Sequence, residues 1–175
     1  MRYKLLFIPL LLLLVHCKEE PTKPTGLVTE KAMVVSAREE ASKIGVEIMK
    51  KGGNVFDAMV ATELSLAVAY PFAGNIGGGG FMVYRTSDGK IGSLDYREKA
   101  PLSAHKDMYL DSLGNVIPGM STSGGTATGV PGTVAGMMAV HEKFGSLPLT
   151  EIMQPVIDLA KKGVVVTEKQ ARSLK

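Results

Sequence analysis

Four consecutive glycines, Gly77 to Gly80, run directly into Phe81-Met-Val-Tyr-Arg-Thr86, a stretch rich in strand formers. This junction constrains the fold more than any other part of the chain. Backbone without side chains lets other segments approach closely just where a strand begins. Ser87-Asp88-Gly89-Lys90 then supplies turn chemistry, with Gly89 free to take a positive φ, and Ile91 to Arg97 reads as the returning strand of a hairpin. Side chains alternate along a strand, so Ile91, Ser93, Asp95 and Arg97 share one side, while Leu94 and Tyr96 share the other. Arg97 is therefore a cation delivered to a fixed place at a strand end, where Ala100-Pro101 breaks the ladder. A phosphate-cradling glycine loop opens a helix; these glycines open a strand, and no Gly-Lys-Ser/Thr follows. Tight backbone packing is the better reading.

The composition is that of a globular chain: 45% hydrophobic and 21% charged residues, in a length of 175 that suits one ordinary domain. A net charge of +3 without a Lys/Arg block argues against nucleic acid as a partner. The 3 histidines are scattered and one lies near the N-terminus, so they form no metal-ligand set, and no cofactor is expected.

The first 17 residues read as an export signal. Arg2 and Lys4 precede the apolar run Leu5 to Val15, which is shorter than the roughly 20 residues needed to span a bilayer. Cys17, the only cysteine, follows at once. Leu14-Val15-His16-Cys17 resembles the bacterial lipobox at Leu14 but not at His16, where that pattern takes a small residue. The expectation is a lipid-bearing Cys17 that anchors an exported, periplasmic or cell-envelope protein to the membrane. The alternative is an exported protein with an incidental cysteine. Residues 18–29, with Lys, Glu, Pro and Thr and little that is apolar, are expected to form a flexible tether. The folded part is then 30–175.

Within it, Ser36-Ala-Arg-Glu39 has the form of a capping box, followed by Ala37, Ala41, Ile44 and Ile48 at helical spacing, with Gly52-Gly53 as the stop. Asn54 is placed to cap a second helix with Asp57 in its first turn. Ala58 to Tyr70 is apolar on nearly every side, as a buried helix is, and Pro71 ends it. Glu63 within it is read as peripheral or hydrogen-bonded, not catalytic. From Leu102 to Gly129 turn and loop signals dominate, and Ser121, Thr122, Ser123, Thr126 and Thr128 are read as loop hydroxyls because none sits in a nucleophile motif. Pro131 should open a third helix closed by Gly145, and Thr150 should cap a fourth that contains Pro155. Val164 to Val166 has the composition of a short strand. Thr167-Glu-Lys-Gln170 is a further capping box with only five residues after it, so the chain is expected to stop within an element.

Several of these blocks together resemble the large-subunit core of the gamma-glutamyltranspeptidases. They are Gly52-Gly53-Asn54 with Asp57-Ala58, then Pro71 and Ala73 to Met82, Asp95 to Pro101, and Gly129 to Gly136, in family order and spacing. That family comprises N-terminal-nucleophile hydrolases that act on glutathione and related gamma-glutamyl compounds. The resemblance implies an α/β (α+β) fold class, with these residues as an incomplete piece of a four-layer αββα sandwich: outer helices plus a β-hairpin. It implies acyl transfer through an N-terminal threonine of a small subunit, with that subunit and the remaining large-subunit sequence as partners. The catalytic residues would then lie outside this chain, which alone would be inactive. Of the family's substrate contacts it carries over one, to Arg97, as the group holding the substrate α-carboxylate. A structural ion pair of Arg97 with Asp95 or Glu98 is the competing reading. Two other classes stay open: a non-catalytic protein that binds amino acids or a partner subunit, and a broken gene product.

Overall fold

The computed structural model describes residues 26–174. Residues 1–25, with Cys17 and the expected signal, lie outside the described residues, as does position 175. Residues 26–32 are exposed and carry neither helix nor strand. From Met33 onward the elements are α1 (Glu39–Lys50), α2 (Val55–Ala69), β1 (Phe81–Arg85), β2 (Ile91–Asp95), α3 (Thr133–Phe144), α4 (Leu149–Lys162) and α5 (Glu168–Ser173). One turn of 3-10 helix, Gly125–Ala127, interrupts the long loop before α3. The fold class is mixed α/β, helices around a two-stranded antiparallel sheet.

The middle of this body is α2, which packs against α1, α3 and α4. Its sequence explains the position: Ala58, Val60, Ala61, Leu64 and Ala69 are buried on several sides of the helix. Two buried hydroxyls are satisfied inside it, since Thr62 Oγ1 donates to Ala58 O and Ser65 Oγ to Ala61 O, both at 2.7 Å. Around α2 gather Ile44 and Ile48 of α1, Met137 and Val140 of α3, Ile152 and Val156 of α4, with Met82 and Tyr96 from the hairpin. Each fully buried aliphatic side chain here contributes about 1.5–3 kcal/mol.

Asn54 caps α2 through Oδ1, which accepts from Phe56 N at 2.8 Å and Asp57 N at 3.1 Å. Asp57 closes the capping box by accepting from Asn54 N at 2.9 Å. It also accepts from Ser146 N at 3.0 Å and from Ser146 Oγ at 2.5 Å, while Asn54 Nδ2 donates to Phe144 O at 2.6 Å. One helix start therefore also fastens the α3–α4 turn. Burial presses the Asp57 carboxyl upward, but the hydrogen bonds from Ser146 and Asn54 outweigh it and hold the group below its ordinary 3.8.

Four expectations need correction. Ser36 does not cap α1, which starts after Arg38; its hydroxyl is spent on Arg38 O and Ser42 Oγ, both at 2.8 Å, and Ala37 stays exposed. Thr150 lies inside α4, whose cap is Pro148; the Pro148 carbonyl already accepts from Glu151 N, and the helix runs through Pro155 to Lys162. Pro131 lies outside α3, whose cap is Gly132. Val164 to Val166 form no strand: among the described residues no neighbouring strand offers them a ladder, and Val165 O instead accepts from the Arg38 guanidinium at 3.2 Å.

The Thr167–Gln170 box forms as read, with both reciprocal bonds in place. Gln170 also accepts from Arg38 Nη1 at 2.7 Å, tying α5 to the start of α1. The same guanidinium grips Glu40 through Nε and Nη2, and chiefly that hydrogen bonding holds the Glu40 carboxyl down at about 2.

Candidate functional site

The hairpin has the expected register, Met82 opposite Leu94 and Tyr84 opposite Gly92, and Gly89 in the turn has φ of 86°. Met82, Tyr84, Leu94 and Tyr96 face the helices, and Tyr84 completes an aromatic cluster with Phe56 of α2 and Phe144 of α3. Phe56 stacks on Phe144 with centroids 4.3 Å apart; Tyr84 meets Phe144 edge-on at 4.9 Å. Such pairs add about 0.5–1.5 kcal/mol each beyond area burial and fix the tilt of the hairpin on the helices. Tyr96 is buried, and burial, then the charge of Glu63, pushes its phenol upward, so it stays protonated. Glu63 is itself half-buried, its carboxyl raised by burial.

Arg97 follows β2 on the solvent side, its side chain 70% exposed. Its guanidinium meets Glu98 only at 4.0 Å, and Asp95 accepts from the Arg97 backbone N–H at 2.9 Å, not from the guanidinium. An exposed pair at that distance is worth little. The side chain is thus largely displayed to solvent, with Glu98 at the edge of ion-pair distance.

What holds Arg97 is its backbone. Tyr96 N donates to Gly80 O at 3.0 Å, and Lys99 exchanges both backbone hydrogen bonds with Val130, at 3.1 and 2.7 Å. Between these anchors the peptides of residues 96–98 lie close against both Gly79 and Gly132. A Cβ on Gly79 would sit 2.7 Å from Arg97 Cα, and one on Gly132 would run into the Tyr96 carbonyl. Neither position has room for a side chain. The two glycine segments are joined in turn: Gly78 O accepts from Gly132 N at 2.7 Å and Thr133 N at 3.1 Å. Asn75 Oδ1 accepts from Gly78 N at 2.6 Å and from Thr133 Oγ1 at 3.1 Å. Beside this clamp lies a cleft of about 320 Å³ whose lining includes Arg97, Lys99, Pro131 and Gly132.

Three of the sequence blocks therefore converge on one residue. The fourth, Gly52 to Ala58, serves the helix latch at Ser146. The glycine run was rightly read as close packing, though Gly77 faces open space and the tight contacts fall on Gly78 to Gly80. Asn75 and Thr133 were not singled out by the sequence reading. The available signal was that both stand inside motifs, Asn75 before the glycines and Thr133 after Pro131-Gly132.

Three of the loop hydroxyls are engaged locally. Thr122 Oγ1 donates to Gly119 O, Thr126 Oγ1 to Met120 O and Thr128 Oγ1 to Gly124 O, all exposed. His141 Nε2 lies 2.9 Å from Leu147 O at the α3–α4 turn, and His105 is exposed.

The family model described as gamma-glutamyltranspeptidase matches residues 41–175. The chain belongs to that family. Among its relatives, the glutathione hydrolase proenzyme of Pseudomonas sp. (strain A14) is 54% identical over 145 residues, covering 83% of this chain and 25% of the relative. That of Escherichia coli (strain K12) is 44% identical over 146 residues, covering 83% and 25%. The crystal structure of Helicobacter pylori gamma-glutamyltranspeptidase is similar with a TM-score of 0.79 at 47% identity, over 85% of this chain and 42% of that one. That of the Pseudomonas nitroreducens enzyme complexed with L-DON gives 0.76 at 46%, over 84% and 44%. The chain spans about a quarter of the length of the curated relatives it matches. Its helices and hairpin are a part of the fold that these solved family members share.

Proposed function

We propose that this chain is the N-terminal part of the large subunit of a gamma-glutamyl-transferring enzyme, and that Arg97 binds the α-carboxylate of the donor. Glutathione and related gamma-glutamyl compounds are the substrates; the reaction is acyl transfer to water or an amino acid. The observation that carries this is the clamp: two glycine-containing motif segments close on the backbone of residues 96–98 while the Arg97 side chain stays 70% exposed. A structure organised to present a cation, and not to neutralise it, suits an anionic ligand. A gamma-glutamyl donor has a free carboxylate at one end and the scissile amide at the other. A planar guanidinium that takes the carboxylate with two parallel hydrogen bonds sets the distance from there to the nucleophile.

The nucleophile belongs to the small-subunit sequence, and the 175-residue chain by itself does not turn over. In support, the Thr122, Thr126 and Thr128 hydroxyls of its 118–129 loop are bound to their own turns, with neither histidine of the described residues bonded to them. The remaining large-subunit sequence and the small subunit are the partners, and the outward hairpin face is where they pack: Phe81, Val83 and Ile91 lie on it, 65%, 79% and 72% exposed. Residues 1–17 are an export signal, Cys17 carries lipid, and 18–29 is the tether that holds the folded part clear of the membrane.

The test is the Arg97→Ala exchange in a full-length family enzyme carrying this segment. Removing a charge-assisted contact costs about 1.5–3 kcal/mol, so KM for gamma-glutamyl donors should rise roughly tenfold to hundredfold. Self-cleavage should persist, and Arg97→Lys should recover part of the loss, since an ammonium keeps the charge without the fork. A donor lacking the α-carboxylate should be poor for the parent and indifferent to the exchange. Equal damage to both donors with a lowered Tm would make Arg97 structural.

A further inference from the structure

Resting on that reading of Arg97, we infer that Asn75 and Thr133 are positioning residues for its guanidinium. An exposed side chain with a single loose partner gets its location from its backbone. That backbone lies against two walls, Gly79 and Gly132, each too close to it to carry a Cβ. The walls are joined by backbone bonds from Gly132 N and Thr133 N to Gly78 O and, through side chains, by Asn75 and Thr133. The Asn75 side-chain oxygen takes the Gly78 N–H at 2.6 Å, ordering the glycine run from within its own turn, and Asn75 Nδ2 donates to Ala73 O at 3.0 Å. The same oxygen takes the Thr133 hydroxyl at 3.1 Å, so one atom binds both walls. Thr133 is fully buried at the start of α3, and its N–H also donates to Gly78 O.

Loss of either polar group removes the side-chain tie between the walls and leaves only the backbone bonds from Gly132 N and Thr133 N to Gly78 O, so the peptides of residues 96–98 gain room to shift. The hydrogen bonds at Gly80 and Val130 still hold the ends of this segment, so the expected result is misplacement of Arg97, not unfolding. Displacements of about 1 Å in a group that orients substrate can cost up to about a hundredfold in rate.

The decisive experiment is a double-mutant comparison in a full-length family enzyme carrying this segment. KM and kcat are measured for a gamma-glutamyl donor with its α-carboxylate and for an analogue without it. Thr133→Val, which keeps the shape and deletes the hydroxyl, and Asn75→Ala should each raise KM for the carboxylate-bearing donor about tenfold, with the analogue unchanged. Thr133→Ser, which restores the hydroxyl, should recover the parent value. In an Arg97→Ala background neither exchange should change donor KM more than about twofold, because residues that act through a third lose their effect with it. An undiminished effect in that background, or equal loss on both donors, overturns the positioning role. Should Thr133→Val fail to fold, exposed Asn75→Ala and the Thr133→Ser rescue carry the same comparison. If Arg97→Ala abolishes carboxylate discrimination while the Asn75 and Thr133 variants retain it, this inference fails and the Arg97 reading stands. If Arg97→Ala itself leaves discrimination intact, the Arg97 reading is what fails.

Discussion

At Asp57 one fully buried carboxylate accepts from Asn54 N and from both the N–H and the hydroxyl of Ser146. In a full-length enzyme carrying this segment, Asp57→Ala leaves those donors without an acceptor and should cost about 2–4 kcal/mol of stability, read as a clear fall in Tm. Asp57→Asn should lose less at neutral pH. The sign of the pH effect follows from a folded pKa held below 3.8. The carboxylate's contribution is fully present above that ordinary value and is lost as pH falls through the folded one. The parent and Asp57→Asn should therefore differ most near neutrality and converge below about pH 3.8 in urea midpoints; a constant difference down to pH 2 would contradict the assignment. Residue by residue, the sequence was readable where chemistry is local. Asn54 and Thr167 cap because their partners stand two or three positions away. It was silent where partners are remote: Ser146 lies 89 positions from Asp57 and Thr133 58 from Asn75, with no pattern linking them. Ser36 shows how a local signal misleads, since its hydroxyl found Ser42 instead of a helix N–H.

At the scale of elements, alternation along β1 and β2 told which side chains face the helices, and α2 announced its burial by being apolar all round. Val164 to Val166 carry the composition of a strand without a neighbour to pair with, which no composition can supply. The hairpin's outward face has a consequence for stability. Seen in this chain, Val83 and Ile91 are exposed, so changing both to Thr should cost within about 0.5 kcal/mol each. If the remaining sequence of the complete enzyme packs there, as proposed, the double exchange should instead cost more than about 2 kcal/mol in total, because two large aliphatic groups leave an apolar interface. Thermal denaturation of the full-length parent and double variant separates the two outcomes.

At the scale of the molecule, helices α1 to α4 form a platform, an aromatic cluster seats the hairpin on it, and two glycine-containing segments close on the backbone where β2 ends. The site is legible in the sequence as a set of blocks, while their convergence on the backbone of residues 96–98 needed the fold. On the proposed reading, this convergence exists to place one guanidinium against a donor carboxylate. The most direct measurement is a crystal structure of the complete enzyme bearing this segment, bound to a slowly reacting gamma-glutamyl donor analogue. The expected result is both carboxylate oxygens within about 2.7–2.9 Å of Arg97 nitrogens, the spacing of a two-pronged charge-assisted pair. A carboxylate held by other groups, with Arg97 still turned to Glu98, would contradict it.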